Sequence, residues 1–241
     1  MVGMNAEEIA NWIKNKVEEA NAKGAVIGMS GGVDSSLAAV LCKKALGDNL
    51  LGILMPCHSN PSDLEHAKIV AEKFGIPTQT VDLTEIYDKL LKTLPDGNQI
   101  AKANLKPRLR MLALYYFANK LGYLVAGTGN KTEIMVGYFT KYGDGGVDIE
   151  PIGGLYKTQV RELAKELGIP EEIITKPPSA GLWEGQTDEG EMGITYEELD
   201  KILQALEKGD TEGLDPEKVE KVKQMIQKSE HKRKPPEAPE A

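Results

Sequence analysis

Short continuous apolar runs alternate along this chain with apolar residues at helical spacing. Ile9, Trp12, Ile13 and Val17 share one face of a helix predicted over Ala6 to Ala20, with Glu and Lys on the other face. Lys23-Gly24 ends it, and Ala25-Val26-Ile27-Gly28-Met29 follows as a buried strand. Leu37-Ala38-Ala39-Val40-Leu41 belongs to a helix running to about Leu46. After the turn Gly47-Asp48-Asn49, Leu50 to Met55 reads as a second strand, stopped by Pro56. Pro61-Ser62-Asp63 caps a helix over Leu64 to Phe74; Thr78 to Val81 is a third strand, and Thr84 to Leu91 a helix. Asp96-Gly97-Asn98 breaks the chain before one long helix, about Ile100 to Lys120, and a fourth strand, Gly122 to Gly127. Strand and helix in alternation predict right-handed crossovers and an α/β fold. The expected architecture is a three-layer sandwich with a central, mainly parallel sheet of about five strands. Ligands of such sheets bind where the strands end.

The second half reads differently. Lys141 to Gly154 is a loop rich in glycine and acids, and Lys157 to Leu167 is a helix ended by Gly168 and Pro170. Lys176 to Glu191 reads as a flexible segment, followed by amphipathic helices over Thr195 to Glu207 and Pro216 to Lys228. One domain is expected over residues 1–233, with a disordered tail over 234–241. No internal repeat is visible.

Composition narrows the partners. The chain has 241 residues and a formal net charge of −8, with a pI near 5.1. An acidic surface argues against non-specific binding to nucleic acid or anionic membranes. Cys42 and Cys57 are the only cysteines and form no C-x-x-C, so both are expected as free thiols in a reducing compartment. No apolar run reaches membrane-spanning length. Met1 to Asn5 is neither basic nor followed by an apolar core, so no signal peptide and a cytoplasmic location are expected.

The chemistry concentrates in Ser30-Gly31-Gly32-Val33-Asp34-Ser35-Ser36, between the first strand and its helix. Such a junction aims backbone N–H groups and a positive helix end at one point, which suits phosphate. Glycines let the backbone approach an anion, and the serine hydroxyls add donors. Asp34 would repel phosphate unless a divalent cation lies between them, so the loop predicts a Mg²⁺–nucleotide site. There is no G-x-x-x-x-G-K-[ST] and no G-x-G-x-x-G. A second junction, Gly127-Thr128-Gly129-Asn130-Lys131-Thr132-Glu133, follows the fourth strand. If strands one and four are neighbours, Glu133 reaches the cation held by Asp34, and Thr128 can bond the adenosine. By itself this stretch reads equally well as a helix-capping turn.

Ser-Gly-Gly-Val-Asp-Ser resembles the pyrophosphate loop of the ATP pyrophosphatases. With Gly-Thr-Gly-Asn-Lys-Thr-Glu, Tyr138-Phe139-Thr140-Lys141-Tyr142-Gly143-Asp144-Gly145 and Lys176-Pro177-Pro178-Ser179-Ala180 in that order, the chain is similar to ammonia-dependent NAD synthetases of the short archaeal type. The resemblance covers residues 1–233 and implies an adenine nucleotide alpha-hydrolase-like fold. It implies ATP contacts from Gly28, Met29, Ser30, Gly31, Gly32, Val33, Asp34 and Ser35, with Thr128, Lys157 and Ser179. Many relatives carry Thr at the position of Ser179; the hydroxyl is kept. Asp34 and Glu133 would hold Mg²⁺. Arg108, Lys141, Asp148, His231 and Lys232 would contact deamido-NAD⁺, Arg108 being chosen over Arg110 on motif alignment alone.

The implied reaction is ATP-dependent amidation of deamido-NAD⁺ to NAD⁺, in a homodimer, with no covalent protein nucleophile. A chain this short has no room for a glutaminase, so ammonia comes free or from a separate partner. Another ATP pyrophosphatase, such as a tRNA-modifying enzyme, and a non-catalytic nucleotide-binding module are the competing readings. Cys57-His58 supplies too few ligands for a metal, and His66 reads as a surface or packing residue. Trp12 and Trp183 read as packing anchors, and Lys232-Arg233-Lys234 is a weak case for nucleic acid against the net charge.

Overall fold

The computed structural model describes residues 4–183 and 185–239. Four strands form one parallel sheet in the order β3-β2-β1-β4: β1 (Ala25–Gly28), β2 (Leu50–Leu54), β3 (Thr78–Thr80) and β4 (Leu124–Ala126). The strand order changes direction at β1, which pairs with both β2 and β4. Strands one and four are therefore neighbours, with Ala25 opposite Leu124 and Ile27 opposite Ala126.

Alternation along the strands sets the two faces. Ala25, Ile27, Leu50 and Leu54 point to a core shared with α1 (Ala6–Glu19), α2 (Val33–Leu46), α3 (Pro61–Phe74) and α8 (Lys157–Glu166), which packs against α2. Val26, Ile53 and Val125 point the other way, into α4 (Thr84–Thr93) and α6 (Leu105–Leu121). This is the expected three-layer arrangement. α2 is apolar on every side, from Leu37 to Cys42, because other elements surround it. Burying one such Leu or Ile contributes roughly 1.5–3 kcal/mol.

A third cluster lies apart from the sheet. α11 (Tyr196–Lys208) and α12 (Pro216–Lys228) pack Tyr196, Leu199, Ile202, Leu203, Val219 and Val222 against Val136 of α7 (Lys131–Val136) and Tyr156. The short helices are α5 (Gln99–Ala103), α9 (Glu171–Ile174), α10 (Asp188–Met192) and α13 (Glu230–Arg233).

Four expectations change. Four strands stand where about five were expected, and beyond β4 the chain adds one parallel bridge, Ala126 to Ile149. The Asp148 carboxylate takes the Val125 N–H at 2.8 Å, where a ladder would have used a carbonyl, and Pro151 has no N–H to continue one. The long helix predicted from Ile100 breaks at Asn104, because Pro107 cannot donate to the carbonyl of Ala103 and instead sits in the first turn of α6. α3 begins at Pro61, three residues earlier than predicted, capped by Asn60, whose side chain accepts the Ser62 N–H at 3.1 Å. Between Lys176 and Glu191 the chain forms α10, although Glu184 lies outside the described residues. Of the expected tail, Lys234–Pro239 carries no strand and no helix, and 240–241 lie outside the described residues, as do 1–3.

Candidate active site

β1 and β4 both end at the same edge, so the two sequence junctions meet. Leaving β1, Met29 donates to Ile53 O at 3.0 Å and the chain turns at Ser30-Gly31-Gly32 into α2. Gly31 has φ +82, and a Cβ there would lie 2.1 Å from Asp63 O, so only glycine fits. The serines brace the loop: Ser30 N donates to Ser35 Oγ at 3.2 Å, and the Ser35 and Ser36 hydroxyls donate to Gly32 O. α2 starts at Gly32, where no side chain caps the helix. Its first N–H groups and positive end stay open to an anion.

Asp34 lies in that first turn. Its Oδ1 accepts from Asn130 Nδ2 at 2.8 Å, and its Oδ2 from Lys157 Nζ at 2.5 Å. Lys157 also donates to Glu133 Oε1 at 3.1 Å. The second junction thus supplies two groups, Asn130 and Glu133, and α8 supplies the cation between the carboxylates. Lys157 is 1% exposed. Burial alone would lower its pKa, but Asp34 and Glu133 outweigh burial and hold it above the ordinary lysine value. Burial raises Glu133, assisted by Asp34 and Asp188 and opposed by Lys157.

Two half-buried carboxylates from separate loops, sharing one ammonium beside an open helix N-terminus, are a hard-oxygen donor set. That set suits Mg²⁺, with phosphate oxygens and water completing the coordination. The Lys157 ammonium stands in for part of the positive charge such an ion would bring.

Arg108, Lys141, His231 and Lys232 also converge. Arg108 Nη2 donates to Lys141 O at 3.4 Å, and Lys141 Nζ to His231 O at 2.6 Å. Lys232 Nζ donates to Gly137 O and Phe139 O at 2.7 and 2.8 Å. Arg110 is different: its guanidinium is committed to Met55 O at 3.2 Å and Ser59 Oγ at 3.4 Å, while Arg108 is exposed. Asp148 stands at the edge of β4, its two oxygens accepting from Tyr115 OH at 2.9 Å and Val125 N at 2.8 Å. Ser179 is exposed and accepts the Gly181 N–H at 3.1 Å; Thr128 lies half-buried between Gly127 and Gly129. Lys176, at the start of the Ser179 segment, pairs with Asp63 beside Gly31.

The NAD synthase family model matches residues 5–236, nearly the whole chain. The chain belongs to the NAD synthase family. It is 52% identical over 238 residues to an NH(3)-dependent NAD(+) synthetase of Carboxydothermus hydrogenoformans, covering 97% of this chain and 96% of that one. With the NH(3)-dependent NAD(+) synthetase of Methanocaldococcus jannaschii the identity is 53% over 263 residues, covering 99% and 98%. Among solved structures, the NH3-dependent NAD synthetase of Campylobacter jejuni superposes with TM-score 0.86 at 34% identity, covering 98% and 97%. A structure named NMN synthetase from Francisella tularensis superposes with TM-score 0.90 at 38% identity, covering 97% and 96%. The fold is the adenine nucleotide alpha-hydrolase type of these NAD synthases.

In this member of the NAD synthase family several site-lining residues escape sequence reasoning. Asn130 caps α7 as the capping reading of the second junction expects, accepting the Glu133 N–H at 3.0 Å; its bond to Asp34 is the part no pattern announced. Asp200, 1% exposed, accepts from Thr132 Oγ1 at 2.5 Å and Thr158 N at 2.9 Å, fastening α7 to α8. A carboxylate on an apolar helix face, beside Leu199 and Leu203, was the available signal. Glu150 lies against the second junction. Its Oε2 accepts from Gly129 N at 3.0 Å, and a Cβ at Gly127 would lie 2.3 Å from that same oxygen. Burial pushes its carboxyl up to about 8, with the Gly129 N–H opposing. Cys57 is buried, its thiol raised by burial, and Cys42 is pushed up to about 12 by burial. Neither is poised as a nucleophile. Among the described residues no cluster of three or more His, Cys, Asp and Glu forms a metal cage.

Proposed function

We propose that this chain amidates the nicotinate carboxylate of deamido-NAD⁺ with ammonia, converting ATP to AMP and pyrophosphate. The observation that carries the proposal is the Asp34–Lys157–Glu133 array beside the uncapped start of α2. In this reading the N–H groups and hydroxyls of Gly28–Ser35 hold the phosphates, and Thr128 and Ser179 contact the rest of ATP. Asp34 and Glu133 hold Mg²⁺, which supplies charge neutralisation on the phosphates. With that charge in place, Lys157 is free to turn from the carboxylates to the departing pyrophosphate.

A carboxylate oxygen of the nicotinate attacks the α-phosphorus while the bond to the β-phosphate oxygen breaks. Ammonia then attacks the acyl carbon, the carbon–oxygen bond breaks, AMP leaves, and nitrogen loses a proton to solvent. The steps need positioning and charge stabilisation, and no protein nucleophile. Arg108, Lys141 and Lys232, with His231 and Asp148, are assigned to deamido-NAD⁺. The guanidinium of Arg108 is the freer of the two candidates, since Arg110 is spent on the β2–α3 loop.

We assign the working form as a homodimer in the cytoplasm, using free ammonia or ammonia from a separate glutaminase. Leu112 and Tyr116 are 60% and 64% exposed, and with Arg108 they form one stripe along α6 at four-residue spacing. That stripe is suited to a second copy of the chain next to the dinucleotide contacts. Among the described residues no helix is long and apolar enough to cross a membrane.

The test is an incubation with MgATP, ammonium and either deamido-NAD⁺ or nicotinate mononucleotide, with products resolved by chromatography. NAD⁺ and AMP in equal amounts, only with all components present, support the proposal. Faster amidation of the mononucleotide would reassign the acceptor to that of an NMN synthetase. AMP with neither amide would point to another acceptor, and no turnover in a protein that binds ATP to a non-catalytic module.

A further inference from the structure

Tyr196 is fully buried at the start of α11, and no step above uses it. Its hydroxyl lies 3.0 Å from Glu133 Oε1 and 3.0 Å from Asp188 Oδ2. Its ring lies under the Lys157 ammonium, 4.7 Å from nitrogen to centroid. Asp188, 4% exposed, extends the chain of contacts outward. Its Oδ1 accepts the Ala180 N–H at 2.9 Å and the Tyr138 hydroxyl at 3.1 Å, and its own N–H donates to Pro178 O at 3.0 Å. Pro178 and Ala180 flank Ser179. An unbroken path of hydrogen bonds therefore runs from the Ser179 segment through Asp188 and Tyr196 to Glu133. The anchoring is local and firm, because Tyr196 N also donates to Glu189 Oε1 at 2.9 Å.

A phenol has one proton to give and here faces two carboxylates. It donates to Glu133 or to Asp188, and these are two distinct arrangements of one rigid frame. When Glu133 gives its lone pairs to a cation, the hydroxyl keeps its proton and donates to Asp188 instead. Asp188 is then more fully satisfied and holds the Ala180 N–H in place. We propose that Tyr196 and Asp188 are positioning residues that couple cation binding at Glu133 to the seating of the Ser179 segment. The proposal rests on the reading of Asp34 and Glu133 as metal ligands. The coupling works in both directions: a seated segment steadies Glu133, and an occupied Glu133 steadies the segment.

The experiment uses the full chain with Mn²⁺ and α,β-methylene-ATP, which is not cleaved. Bound Mn²⁺ is read by electron paramagnetic resonance, and backbone exchange of the peptide holding Ala180 by hydrogen–deuterium mass spectrometry. Tyr196→Phe keeps the ring and removes the hydroxyl; Asp188→Asn attacks the same path from the other end. Each is expected to weaken Mn²⁺ about tenfold, the usual effect of losing a residue that orients a ligand. In the wild type, Mn²⁺ with the nucleotide slows exchange at Ala180; in Tyr196→Phe that slowing is lost. Glu133→Gln is the control. If it weakens Mn²⁺ while Tyr196→Phe and Asp188→Asn bind and protect like wild type, the coupling is wrong and the metal reading stands. If Glu133→Gln itself binds Mn²⁺ like wild type, the metal reading falls and the proposal falls with it.

Discussion

The ammonium of Lys157 is held by Asp34 from a different loop, Nζ to Oδ2 at 2.5 Å across 123 residues of sequence. Glu133 shares that ammonium at 3.1 Å, and the lysine side chain is 1% exposed. Removing one partner of such a buried pair leaves uncompensated charge. Lys157→Met should therefore destabilise the ligand-free protein by about 3 kcal/mol, measured by urea unfolding, as well as abolish turnover. Wild-type stability in that variant would show that the array contributes nothing to folding.

Glu150 makes stability depend on pH in a definite direction. Burial pushes its carboxyl up to about 8 from an unfolded value near 4.5. The folded state therefore binds this proton more tightly, so the contribution is fully present below pH 4.5 and is lost as pH rises through 8. Glu150→Gln keeps an acceptor for the Gly129 N–H and cannot ionise. Its thermal stability should exceed wild type increasingly from pH 5 to pH 8, by roughly 4 kcal/mol at the upper end. Parallel pH curves for the two proteins would refute this.

The two arginines of α6 should separate cleanly. Arg110 donates to Met55 O and Ser59 Oγ, so Arg110→Ala should lower stability by about 1–3 kcal/mol in denaturant unfolding. Among the described residues exposed Arg108 reaches only Lys141 O, at 3.4 Å, so Arg108→Ala should leave unfolding nearly unchanged. Its effect should be a KM for deamido-NAD⁺ raised about tenfold or more, with the KM for ATP unaltered. The reverse pattern would mean that motif alignment picked the wrong residue.

The sheet and its layers were legible because strand and helix patterns alternate cleanly up to Gly127, and the meeting of the two loops needed only strands one and four to be neighbours. Asp34 and Glu133 accordingly come together, and Lys157, named only through the family resemblance as an ATP contact, joins them from α8. The expected count of about five strands was not met, because the chain after β4 pairs in a single bridge, with the Asp148 side chain taking the Val125 N–H. The break at Asn104 was not legible, although Pro107 carried the signal. Tyr196 and Asp200 reach the site from α11, whose periodicity announces only packing, and Asp188 from a stretch that reads as flexible. Their polar ends meet partners more than 40 residues away or across a turn, which no local pattern encodes. Glu150 sits in a glycine-rich loop, where a lone carboxylate looks solvated until the chain folds over it.

The central claim is that the nicotinate carboxylate is activated by transfer to the α-phosphorus. It is tested most directly by labelling that carboxylate with oxygen-18 and following the label during turnover with MgATP and ammonium. Attack on the α-phosphorus carries one labelled oxygen into AMP, and none into pyrophosphate, seen by mass spectrometry of the separated products. Label in pyrophosphate or in free phosphate, or unlabelled AMP formed together with NAD⁺, would contradict the account.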